Sequence, residues 1–150
     1  MDCRQSNCLG LPDVTKEITI DHLLVIPEEK PPQESILDQF VEFEITKAEV
    51  IETNITVGDP PQQLQKVIIM GQAEIVIKYV GDTEEGDQPV HAAHFNVPFD
   101  ALVEWPGGPP QGTPICVCVV PEHFQIDPLD DRHLFKVLVV KLEIYEDYLC

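Results

Sequence analysis

The chain has 150 residues, 43% of them hydrophobic and 7% aromatic, with 9 Lys+Arg against 27 Asp+Glu for a formal net charge of −18. That length suits one domain with its own hydrophobic core, and so few aromatics make the core aliphatic. The charge argues against nucleic acid, whose phosphates call for a basic stripe that displaces counterions, and against anionic membrane surfaces.

No run reaches the roughly 20 apolar residues of a membrane-spanning helix. The opening MDCRQSNCLG has no apolar h-region, so no ordinary secretion signal is expected. Residues 1–14 read as a flexible N-terminal connector arm, polar and interrupted by Gly10 and Pro12. The domain then occupies 15–150. Residues 17–26 alternate and are rich in β-branched side chains, ending at Pro27. Lys30-Pro31-Pro32 is a turn, and residues 34–38 are expected to form one helical turn.

From Phe40 to Thr53 the alternation is clear, with Val41, Phe43 and Ile45 on one face and Glu42, Glu44 and Thr46 on the other. The apolar phase then shifts to Ala48 and Val50, which predicts a bulge or kink near Thr46. Residues 54–65 contain the Gly58-Asp59-Pro60-Pro61 loop. Residues 67–80 form a long strand with Gly71 at an expected bend. The acidic, glycine-flanked stretch 82–88 reads as a hairpin tip, and 90–99 as another strand. Residues 104–114 (EWPGGPPQGTP) read as a long turn, and 115–126 and 134–145 as the last strands. Turn signals at this spacing, with hardly any helix, predict an all-β fold: a single antiparallel β-sandwich, jelly-roll-like, of about seven to nine strands.

Of the chemistry-bearing residues, His91 and His94 are an H-x-x-H pair. On a strand these positions point to opposite faces, so a shared metal is not expected. Asp127, Asp130 and Asp131 lie in one turn but lack the spacing of a dedicated calcium loop, and turn aspartates ordinarily bond local backbone. No nucleophile elbow, phosphate-cradling loop or C-x-x-C pair is present. The expectation is a protein that is not an enzyme, with no cofactor and no metal site.

The five cysteines are distributed unusually: Cys3 and Cys8 in the arm, Cys116 and Cys118 alternating on a strand, and Cys150 as the last residue. An odd count leaves at least one thiol without an internal partner, and three of the five lie near a terminus. The pattern suggests cross-links between chains. In the C-x-C strand, Ile115, Val117 and Val119 share one face and Cys116 and Cys118 the other. If the branched aliphatics face the core, both thiols turn outward. The other possibility is that the cysteines are small buried hydrophobes with the aliphatics outside. Two cysteines at this spacing sit at the edge of disulfide reach and are poorly aimed at each other.

From about Thr15 to Glu146 the chain resembles a SPOCS domain, the module named for spore coat proteins of endospore-forming bacteria. The resemblance is carried by Glu28-Glu29-Lys30-Pro31-Pro32 with Ile36-Leu37-Asp38, by 41–45 and 50–53, and by Gly71-x-Ala-Glu-Ile-Val-Ile-Lys-Tyr-Val80. It continues through Gln88-Pro89-Val90-His91-x-x-His94-Phe95, Val97-Pro98-Phe99 and Asp130-Asp131-Arg132. It implies a β-rich, non-enzymatic module of spore-envelope proteins, made in the mother cell and needing no signal peptide. A short arm with two cysteines on such a sandwich also resembles, in architecture, the subunits of endospore appendage fibres.

The expectation that follows is a structural subunit self-assembling into a disulfide-cross-linked fibre or lattice at the spore surface or outside the cell. Its main partner is itself, joined through strand edges and the arm, with other spore-surface proteins as further partners. Cys3, Cys8, Cys116, Cys118 and Cys150 are the candidate intersubunit disulfide residues. Two alternatives are a binding module for a coat protein or cell-wall glycan, and a reduced metal-binding protein using Cys116, Cys118 and a histidine.

Overall fold

Aliphatic and polar residues alternate through most of the chain, and the backbone answers with strands. The computed structural model describes residues 10–146 except 84, 85, 87 and 88. These form β1 (Val14–Val25), β2 (Gln33–Ile51), β3 (Thr56–Val57), β4 (Gln62–Gly81), β5 (Val90–Pro106), β6 (Ile115–Pro128) and β7 (His133–Glu146). One sheet has the order β1-β7-β6; in the other, β4 lies between β2 and β5, with β3 paired to its start. All pairings are antiparallel. The expected all-β sandwich is the fold.

The two sheets stack with β4 and β7 as their central strands. Alternate residues of β4 (Val67, Ile69, Ala73, Ile75, Ile77 and Tyr79) face alternate residues of β7 (Leu134, Leu138, Val140, Leu142 and Ile144), all fully buried. This period of two is what a half-buried strand requires. Long-range hydrogen bonds tie the sheets together. Gln33 N donates to Asp131 O (2.8 Å), Gln39 Nε2 to Phe124 O (3.1 Å), and Tyr79 OH to Pro31 O (2.8 Å). The first and third gather the β1–β2, β4–β5 and β6–β7 connections at one end of the sandwich. The start of β1, the start of β6 and the end of β7 therefore lie at the other end.

The bulge expected near Thr46 is present: the β2–β4 register shifts between Ile45 and Lys47. Other expectations need correction. Residues 34–38 are strand rather than a helical turn, because Ser35 and Ile36 pair with Val80 and Tyr79 and the β4 ladder outweighs local helix propensity. Gly71 is no bend, since β4 runs through it unbroken. A Cβ there would meet Glu44 O at 2.5 Å and the Phe99 ring at 2.8 Å, so glycine permits the β2 bulge and the ring to close on β4. The long turn read at 104–114 is shorter: β5 continues to Pro106 and buries Trp105. Part of the stretch read as a hairpin tip, 82–88, lies outside the described residues.

Candidate functional site

The cysteine-bearing strand begins at the end of the sandwich where β1 starts and β7 finishes. In the β6–β7 register Val117 lies opposite Ile144 and Val119 opposite Leu142, while Cys116 lies opposite Tyr145 and Cys118 opposite Glu143. Directly opposed residues share a face. The aliphatics therefore join the core, and the two cysteines are on the outer face, as one of the two sequence readings had it. The exposure that reading implied is corrected. Cys116 is 1% and Cys118 6% accessible, so this outer face is covered where the cysteines sit. Neither is a free thiol; both take part in disulfides. Cys3, Cys8 and Cys150, the other candidates, lie outside the described residues.

The same face receives the beginning of the described chain. Asp13 N donates to Ile144 O at 2.9 Å, and Glu146 N donates to the Asp13 carboxylate at 2.8 Å. Tyr145 OH lies 3.5 Å from Gly10 O and donates to Glu143 Oε2 at 2.7 Å. Burial and the adjacent Glu143 carboxylate push the Tyr145 phenol up to about 12, and the bond from Tyr145 holds Glu143 below the usual carboxylate range. Glu143 also meets Lys141 Nζ at 3.1 Å. Gly10 thus sits against Tyr145, directly across the ladder from Cys116. β1 begins at Val14, so the last residues of the expected arm are already bonded to β7.

The histidines behave as strand geometry requires. His91 faces inward and stacks on Tyr79 at 5.8 Å, with its Nε2 buried and unpartnered among the described residues, whereas His94 is exposed on the opposite face. The turn aspartates hold local structure. The Asp130 carboxylate accepts from Arg132 N (2.8 Å) and His133 N (2.7 Å) and meets His133 Nδ1 at 2.9 Å, which lowers its pKa to about 2. Asp127 accepts from Gln125 Nε2 at 2.7 Å. Among the described residues no three His, Cys, Asp or Glu side chains gather closely enough to hold a metal ion.

Two residues escaped the sequence reading. Arg132 Nη1 donates to Pro27 O and Lys30 O, both at 2.9 Å, so one guanidinium closes the loop after β1. The resemblance contained this arginine but gave it no role. Lys136 is fully buried on the core face of β7, between His22 and Ile126 in the ladder, and its Nζ has no partner among the described residues. Burial lowers its pKa to about 8, against a weaker opposing pull from Asp21. The strict alternation of β7 was the signal for its position, because Lys136 falls on the parity of Leu134 and Leu138.

Residues 32–129 match the family model described as SipL, SPOCS domain. The match takes in β2 to β6 and leaves β1 and β7 outside it. No curated protein and no solved structure matches the chain.

Proposed function

The chain belongs to the SPOCS-domain family, and on that premise we propose that it is a structural, non-catalytic subunit that assembles with copies of itself at the spore surface. A spore-associated role goes with the family. The finer reading is a fibre or lattice in which the N-terminal arm links neighbouring subunits by disulfides. The observation that carries it is the seating of Gly10 on Tyr145, the residue opposite Cys116 in the ladder, which brings the first described residue of the chain beside a cysteine-bearing strand.

Chemistry adds a constraint on how such links form. Cys116 and Cys118 are already oxidised and buried. A link to a neighbour then arises by exchange: an incoming thiolate attacks one sulfur of an existing disulfide, and the displaced sulfur leaves as a thiolate. No net oxidant is consumed. Five cysteines leave at least one thiol per chain over to begin such an exchange.

The test is a non-reducing gel and electron microscopy of the purified chain, beside the Cys3→Ser/Cys8→Ser variant. A ladder of multimers that collapses on reduction, and is absent from the folded variant, is the expected result. A lone monomer band would favour a binding module for a coat protein or glycan. Undiminished, detergent-resistant assemblies from the variant would refute the linking role of the arm.

A further inference from the structure

Each sheet has two edge strands, and three of the four edges are interrupted. The β2 ladder shifts register three times, between Gln33 and Ser35, Ile36 and Asp38, and Ile45 and Lys47. The β6 ladder shifts between Pro121 and His123, with the proline itself lacking a donor. Pro98 sits midway along β5 in a ladder that β4 accommodates without a shift, so its missing N–H falls on the free edge. Bulges and prolines of this kind protect an edge from pairing with another chain. β1 has none of them: its 12 residues pair with β7 without a shift and contain no proline.

The direction of each β1 backbone group follows from one bond. Ile26 N donates to Arg132 O at 2.8 Å, and these two residues continue the β1–β7 register by one step. In an antiparallel ladder, hydrogen-bonded and non-bonded pairs alternate. Even-numbered residues of β1 therefore bond to β7, while Thr15, Glu17, Thr19, Asp21, Leu23 and Val25 aim N–H and C=O at the free edge. Clefts lined by residues 18–25 of β1 and 94–100 of β5 run along that edge, and Thr15, Glu17, Thr19, Asp21, Leu23 and Val25 are all exposed.

We propose that this edge pairs with the β1 edge of a second copy, making an antiparallel, two-fold-symmetric dimer whose sheet runs on through both subunits. The register follows from charge. To continue the sheet, paired residues must share a face, and two registers keep most of both strands paired. One sets Glu17 against Asp21 twice, which like-charge repulsion disfavours. The other sets Ile20 against Ile20, Ile18 against His22, Thr19 against Asp21 and Glu17 against Leu23, with no like charges opposed. The second is the register of the dimer, and it covers the half-buried Ile18 and the exposed His22. An isologous contact of this kind closes on itself. The pairing uses no cysteine, so it stands or falls separately from the disulfide-linked assembly proposed above.

The test uses the full chain under reducing conditions, where no disulfide contributes. Sedimentation at rising concentration is expected to reach twice the 16.9 kDa chain mass. Amide exchange is expected to slow by about tenfold or more at residues 15, 17, 19, 21, 23 and 25 as the dimer fills, and to stay unchanged at the even positions already bonded to β7. Thr19→Pro removes a donor from the free edge alone and is expected to abolish the dimer. Should that variant fold poorly, Thr19→Asp opposes Asp21 twice and weakens the dimer, whereas Thr19→Lys strengthens it. A reduced chain that stays monomeric to millimolar concentration, or a dimer insensitive to all three substitutions, overturns the proposal.

Discussion

Replacing Lys136 by Met is expected to stabilise this protein at neutral pH. The ammonium is fully buried and unpartnered among the described residues, and its pKa falls from 10.5 to about 8. Below pH 8 both folded and unfolded chains carry the proton, so the folded state bears the whole cost of the buried charge. At 1.36 kcal/mol per pKa unit that cost is about 3 kcal/mol. Between pH 8 and 10.5 the unfolded chain binds more protons than the folded one, so the wild type gains stability as pH rises. Methionine matches the length of the lysine stem and leaves no charge, so the variant gains about 2–3 kcal/mol at pH 7, or about 8–12 °C in Tm. At pH 10.5 the gain from removing the charge shrinks to about 0.4 kcal/mol. Urea unfolding of both proteins at the two pH values measures this difference and cancels the titration of other groups. A gain equal at both pH values, or a loss at pH 7, would show that Nζ has a partner or reaches water, and the argument from burial would fail.

Asp130→Ala is expected to lower Tm at neutral pH, because the carboxylate holds Arg132 N and His133 N. Its folded pKa lies below the unfolded one, so this contribution is present above about pH 4 and lost toward pH 2; the gap between variant and wild type should close over that range. Arg132→Met should cost about 1–3 kcal/mol in denaturant, since the carbonyls of Pro27 and Lys30 lose a charged donor, and Arg132→Lys should recover only part of it. Gly71→Ala should cost about 1–3 kcal/mol by overpacking against Glu44 O and the Phe99 ring, whereas the same change at Gly86, with nothing near its Cβ, adds only backbone strain at positive φ.

Much of the sandwich was legible because a half-buried strand writes its period of two directly into the chain. The phase shift after Ile45 located the β2 bulge before any pairing was known. Where local signals misled, a neighbouring strand had decided the outcome. Residues 34–38 carry no strong strand pattern of their own, yet β4 offers them a ladder. Trp105 is flanked by a charge and a proline that read as a turn, but its ring is buried, and β5 lengthens to put it there. Gly71 shows the same limit in reverse: a glycine in a strand announces a close approach without saying whether the chain bends or a neighbour comes near.

Parity put Cys116 and Cys118 on the face opposite Ile115, Val117 and Val119 but left open which face met the core. The β6–β7 register decides that, and neither says what covers an outer face. The bonds of Gly10, Asp13 and Glu146 at that end depend on residues more than 130 positions apart, and no local pattern encodes them. The family match sharpens the point. It spans β2 to β6 and omits β1 and β7, so of the sheet that carries the cysteines only β6 lies within it. β6 gains its central partner from β7, and β7 gains its outer one from β1. Both flanking strands lie outside the matched residues. Tyr145 of β7 makes the contact with Gly10, and β1 is the one uninterrupted edge. In β1 and β7, Thr19→Pro and Lys136→Met separate the proposed pairing between copies from stability within one.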